Sequence, residues 1–150
     1  MATYTRLHAR PVARAMAALT LVGFGSLHAA AVPEHAEQAG YIGVLFALNA
    51  AAAVALAAML LSHPRPAWPL AAALAAVTVV LYVVARSAGL PAYHENDWVD
   101  APYGLPSLAL EVLLVVLYVG AGIAGRERLS GRKLAAPRRL PHRASAAGSR

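Results

Sequence analysis

Apolar residues gather into four long stretches, Val12–Val32, Tyr41–Leu61, Trp68–Ala85 and Leu105–Ala124, each carrying a sparse stripe of polar positions. A hydrocarbon layer about 30 Å thick needs about 20 apolar residues at helical rise, and these runs contain 21, 21, 18 and 20. Backbone polar groups inside lipid must find partners within their own segment, which leaves the helix as the form of each run. The pattern predicts an all-α, membrane-spanning four-helix bundle over residues 1–124, with helices near 12–32, 41–61, 68–88 and 105–124. The third has a marked stop at Ser87-Ala88-Gly89-Leu90-Pro91, with glycine at the helix end and proline just beyond. Pro106 suits the first turn of the fourth. Gly23, Gly25, the alanines 50–53, Gly120 and Gly122 allow close backbone approach, which favours a compact bundle over a wide pore.

Spacings of three or four bring one mixed-polarity face to each helix. The first offers Thr20, Phe24 and His28, and the second Tyr41, Leu45 and Asn49. The third offers Thr78, Tyr82 and Arg86, and the fourth Ser107, Glu111, Val115 and Tyr118. With alternating helix directions and a rise of about 1.5 Å per residue, His28, Arg86 and Glu111 fall in one layer near the outer boundary, with Asn49 slightly deeper. An ionisable group at the centre of a membrane helix costs about 2.5–3.5 kcal/mol on insertion scales, so Glu111 is expected to face the interior and to have a partner. Arg86 is the candidate, with His28, Asn49 and Tyr82 completing a polar intramembrane cluster. Arg86 also sits in the last turn of its helix, where a cation is favoured by the dipole and can reach water.

Charge adds orientation. Only 13% of residues are charged against 59% hydrophobic, where soluble domains carry about a quarter charged. Lys and Arg are retained on the cytoplasmic side. Arg6, Arg10 and Arg14 lie at the amino end, Arg65 lies in the second connection, and the tail after Gly125 holds eight basic residues, whereas segments 33–40 and 87–104 contain no Lys or Arg and hold acids such as Glu34 and Asp100. Both termini are therefore expected in the cytoplasm, with the chain a multi-pass protein of the inner (plasma) membrane. The tail, residues 125–150, is too poor in apolar mass to fold alone and reads as disordered and basic. Its partner is expected to be anionic lipid, each basic residue near the surface being worth about 1 kcal/mol. Nucleic acid is not indicated, since interleaved aromatics are lacking.

Without cysteine, disulfides, thiolate metal sites, iron–sulfur clusters and covalent haem attachment are excluded. The single lysine, Lys133, lies in the tail, which excludes a Schiff-base cofactor within the bundle. Residues 1–31 also fit a secretory signal ending in Ala29-Ala30-Ala31, although the full spanning length and His28 favour a retained helix.

The outer connections hold a second constellation, Glu34, His35 and Glu37 in one and His94, Glu95 and Asp97 in the other. Imidazole and carboxylate suit divalent metals such as Zn, Cu, Ni or Mn, although the spacing matches no recognised ligand pair. No cofactor is otherwise expected; a haem or quinone held by His28 and His94 is disfavoured because His94 lies in a loop. Gly120-Ala121-Gly122-Ile123-Ala124-Gly125 fits a dinucleotide pattern that requires a strand and a βαβ unit. A triad drawn from Ser107, His28 and Asp97 lacks a nucleophile elbow.

The stretches Ser26-Leu27-His28, Gly43-Val44-Leu45-Phe46-Ala47-Leu48-Asn49-Ala50 and Arg86-Ser87-Ala88-Gly89-Leu90-Pro91, together with Glu111, resemble a group of small, uncharacterised four-helix membrane proteins of high-GC bacteria. The resemblance covers roughly residues 15–120. It implies a four-helix bundle with polar positions His28, Asn49, Arg86 and Glu111 and no established activity. The leading expectation is a non-enzymatic structural protein or accessory subunit of a larger membrane complex, with a buried polar cluster near the extracytoplasmic face. The alternative is an ion or metal binding or transport protein using His28, Arg86 and Glu111 together with the acidic loops.

Overall fold

The computed structural model describes residues 11–99 and 102–134, and the chain there is all helical apart from short connections. Helices α1 (Pro11–Gln38), α2 (Gly40–Ser62), α3 (Pro64–Ser87) and α4 (Gly104–Leu134) follow one another in an up-down-up-down bundle. Each packs on its neighbours in sequence, and α4 closes the ring on α1. All four are long and apolar enough to cross a membrane. Their outward faces are studded with apolar side chains such as Leu19, Val44, Leu48, Val80 and Val116.

The helices overrun the boundaries expected from hydropathy, for local reasons. Helix α1 continues through Pro33 to Gln38, so the loop expected over residues 33–40 shrinks to Ala39. Proline removes one backbone donor, but Glu34, Ala36, Glu37 and Gln38 are good helix formers and carry the helix on. Ala39 is extended (φ −156°) and caps α2, its carbonyl accepting from Ile42 N at 2.9 Å. So short a link forces α1 and α2 together. A Cβ on Gly43 would lie 2.5 Å from the Cβ of Ala36, so only glycine fits there. His63 alone links α2 to α3, and Pro64 and Pro66 occupy the first turn of α3, where missing donors do no harm. Helix α4 runs to Leu134, past the end expected at 124, so the start of the predicted disordered tail is helical. The rest of that tail, and Arg6 and Arg10 at the other end, lie outside the described residues.

The α3–α4 connection is built where expected. Ala88 and Gly89 N–H both donate to Val84 O, and Gly89 takes the left-handed conformation (φ 78°) that ends the helix. Leu90 and Tyr93 exchange two backbone hydrogen bonds across Pro91-Ala92, a tight turn that places the non-glycine Ala92 at φ 55°.

Two apolar cores result. The larger, around Leu21, Phe24, Leu60, Trp68 and Leu114 with many alanines, fills the half of the bundle nearer the α2–α3 link. The smaller, Ile42, Ala85 and Tyr93 with Phe46 and Leu90 packed on it, lies beneath the α3–α4 connection. The polar residues lie between them.

Candidate functional site

Four helices converge on a cavity of about 340 Å³ between the two cores. Helix α1 contributes His28 and His35, seven residues apart and therefore on one face. Helix α2 contributes Phe46 and Asn49, α3 Thr78, Tyr82 and Arg86, and α4 Ser107 and Glu111. The rest of the wall is aliphatic, including Leu27, Leu45, Leu74 and Leu108.

The polar centre of the wall is His28, Ser107 and Glu111, all buried. The Ser107 hydroxyl donates to Glu111 Oε1 at 3.0 Å, one helical turn away. His28 Nδ1 lies 3.0 Å from Phe24 O and 3.2 Å from Ser107 Oγ. A carbonyl only accepts, so Nδ1 carries the hydrogen, and Nε2 faces Glu111 Oε1 at 3.6 Å. Imidazole and carboxyl thus face each other across the bundle, joining α1 to α4.

This centre differs from the expected one in its cation. His28 is the side chain that faces Glu111, while Arg86 turns to the α3–α4 connection. Its Nε donates to Asp97 O at 2.9 Å, and its guanidinium stacks 3.6 Å over the Tyr82 ring. The Tyr82 hydroxyl donates to Trp98 O at 2.5 Å, and from the other side Tyr41 donates to Pro91 O at 2.6 Å. Three side chains of α2 and α3 thus strap the connection over the end of the bundle. Asn49 forms a separate bridge, its Nδ2 donating to Thr78 Oγ1 at 2.8 Å between α2 and α3. The five expected cluster residues all line the cavity, split into a facing pair, a strap and a bridge.

The proposed metal residues are not gathered. Glu34 and Glu37 are exposed on α1. His35 is 1% exposed, stacked on Phe46 with ring centroids 4.1 Å apart, and its Nδ1 lies 3.0 Å from Ala31 O. Glu95 Oε1 accepts from Asp97 N, and Asp97 Oδ1 accepts from Val99 N, so both carboxylates shape their own loop. His94 is exposed. Among the described residues no three His, Asp or Glu side chains form a group able to hold a metal, and His28 and His94 do not meet as an axial pair. Asp97, whose carboxylate accepts from Val99 N in its own loop, is not among the hydrogen-bond partners found for Ser107 and His28 in the described residues. Glu111 takes its place beside them, but the serine donates to the carboxylate and the histidine Nδ1 to a backbone carbonyl, not in the serine-to-imidazole order that activates a nucleophile.

Ser107 and Thr78, both on the mixed-polarity faces expected from spacing, join the polar wall, Ser107 one turn from Glu111 and Thr78 one turn from Tyr82. His35 was assigned to a loop because hydropathy falls at Pro33; its spacing of seven from His28 is the signal that puts it on the same face. Among the described residues, His35 Nε2 and Asn49 Oδ1 of the wall side chains have no hydrogen-bond partner. Comparison of the chain with protein-family models, curated proteins and solved structures finds no match.

Proposed function

We propose that this chain is a non-enzymatic, multi-pass protein of the inner (plasma) membrane, both termini cytoplasmic, that binds a lipid-soluble molecule in the cavity between its helices. Four apolar helices and the confinement of Lys and Arg to one set of connections support the placement. The basic residues beyond α4 then lie against anionic lipid.

The observation that carries the binding reading is the cavity itself. Interiors are packed to the density of organic crystals, whereas ligand sites are concave, mostly apolar, of about 300–1,000 Å³, with a few convergent polar groups. A volume of about 340 Å³ walled by aliphatic side chains with His28, Ser107 and Glu111 on one side has that form. A purely structural cluster accounts for the His28–Glu111 link between α1 and α4 but leaves the space around it unexplained. Ion or metal passage draws less support, because the wall is mainly apolar and the acidic residues of the connections are engaged in their own loop or lie outside the cavity.

The test is saturable stabilisation by a chain-shaped probe. In phosphatidylcholine nanodiscs, dodecane or 1-dodecanol is expected to raise the melting temperature with a hyperbolic dose dependence, as ligand binding to the folded state requires. Ala52→Phe, which fills the cavity from α2, is expected to raise the starting melting temperature and abolish the response. A response that does not saturate, or survives Ala52→Phe, would overturn the reading.

A further inference from the structure

The side of the cavity between α2 and α3 has a different character from the others. These are the least closely packed neighbours in the bundle. The cavity-lining residues they contribute include Leu45, Leu48, Val77 and Leu81, which are exposed on the outer surface as well. Leu48 is 61% and Val77 57% exposed. A residue that faces both an interior space and the outside stands on the lip of an opening, and here the lips are aliphatic and face the zone where a bilayer's acyl chains lie. The Asn49–Thr78 hydrogen bond ties the two helices together at the depth of the opening. At the end of the bundle, the strapped connection places Leu90 and Tyr93 over the cavity.

The polar atoms inside specify what enters. With Nδ1 of His35 donating to Ala31 O, its Nε2 is a lone pair, and it has no partner. Asn49 Nδ2 donates to Thr78, and its Oδ1 is a second acceptor without one. Both atoms are covered by neighbouring side chains; an unmet buried acceptor costs about 1–3 kcal/mol, and a ligand donor that reaches it as those side chains yield removes that penalty. Both acceptors are neutral, and the aliphatic lips disfavour passage of a charged headgroup. The chemistry that matches is an apolar body bearing one or two hydroxyl groups.

We infer, building on the binding reading above, that the cavity is entered sideways from the bilayer between α2 and α3 and takes an uncharged hydroxyl-bearing amphiphile, its hydroxyl donating to His35 Nε2 or Asn49 Oδ1. Two molecular sources share this chemistry, a linear lipid alcohol and a quinol ring.

The experiment compares probes that differ only in the donor, using the full chain in phosphatidylcholine nanodiscs and melting temperature against probe concentration. 1-Dodecanol is expected to bind about tenfold more tightly than dodecane, one hydrogen bond to an otherwise unmet acceptor. If the occupant is a ring, decylubiquinol is expected to exceed decylubiquinone by the same factor; if it is a chain, only the alcohol pair shows the preference. His35→Phe keeps the ring stacked on Phe46 while removing Nε2, and Asn49→Leu removes Oδ1; each is expected to reduce the hydroxyl preference and leave dodecane binding in place. Leu48→Trp, closing the lip, is expected to abolish the response to every probe. Equal affinity within both probe pairs, or a preference that survives both acceptor variants, would overturn the head-group assignment while leaving a binding cavity. An unchanged response in Leu48→Trp would overturn the lateral route. Absence of any saturable response to all four probes would instead remove the binding reading on which both rest.

Discussion

Replacing Glu111 separates the roles its carboxyl plays between α1 and α4. In Glu111→Leu the Ser107 hydroxyl loses its acceptor at 3.0 Å and His28 Nε2 loses the group 3.6 Å away, all in surroundings at most 7% exposed. Stranding one buried polar group costs about 1–3 kcal/mol, and hydrogen bonds between membrane helices fall toward the lower end, about 0.6–1.7 kcal/mol. Two stranded groups together give an expected loss of about 1–3 kcal/mol. Glu111→Gln behaves differently: an amide oxygen in the place of Oε1 still accepts from Ser107, while His28 Nε2, which faces that same atom, goes unmet, so the expected loss is about half that of the Leu variant. Removing all three polar groups together, His28→Phe with Ser107→Ala and Glu111→Leu, leaves nothing unsatisfied and is expected to recover most of what Glu111→Leu loses. Reversible unfolding of the detergent-solubilised protein in mixed micelles with increasing sodium dodecyl sulfate gives each difference. A Gln variant as unstable as the Leu variant would refute this account, since its amide oxygen keeps the hydrogen bond from Ser107.

Gly43→Ala is expected to destabilise by about 1–3 kcal/mol because its Cβ would meet Ala36 at 2.5 Å, whereas Gly120→Ala, with nothing within 4 Å, should be neutral or slightly stabilising in the same unfolding assay. Arg86→Leu releases Asp97 O and the Tyr82 stack, so the α3–α4 connection should become cleavable by added protease at concentrations that leave the parent intact, with the helices still protected. Because the chain has no cysteine of its own, Asn96→Cys and Ser62→Cys report orientation: on intact cells a membrane-impermeant maleimide should label position 96 and not position 62, and the reverse pattern would invert the proposed topology. Ala92→Gly relieves a left-handed φ of 55° and is expected to raise stability by up to about 1 kcal/mol, read as a higher melting temperature.

The helices were legible because hydropathy and helical spacing both encode them, and the stop at Gly89 because its chemistry is local. What escaped was continuation beyond the apolar runs. Polarity rises at Glu34 and at Arg126, yet Glu, Ala, Gln and Arg are strong helix formers, so α1 and α4 continue where hydropathy falls. That one misjudged boundary moved His35 from a loop into the cavity wall and dissolved half of the expected metal constellation. Membership of the polar layer was readable from spacing, since His28, Asn49, Tyr82, Arg86 and Glu111 all line one space. The pairing was not, because charge complementarity favours Arg86 for Glu111, while the choice is made by geometry: Arg86 is one residue from the end of its helix, within reach of carbonyls of the returning loop, and His28 lies opposite Glu111.

The arrangement of small residues explains why the bundle closes on one side and opens on another. Helices α1 and α2 are drawn together by the one-residue link at Ala39 and by Gly43 seated against Ala36, and α1 is held to α4 by His28 and Glu111. Helices α2 and α3 are also joined by a single residue, His63, but that link lies at the opposite end, beside the alanine-rich core of Ala53, Ala57, Ala71 and Ala75. Away from it, alanine gives way to the larger Leu45, Leu48, Val77 and Leu81, which edge the gap between the two helices, and Asn49 ties to Thr78 across it. Asn49→Ala with Thr78→Ala should therefore widen access without loosening the α1–α2 pair, whereas shortening the lips with Leu48→Ala and Val77→Ala should let α2 and α3 close and shrink the cavity. Opposite shifts in probe affinity from these two double variants would place control of the opening in the side-chain size along α2 and α3; shifts in the same direction would refute that account.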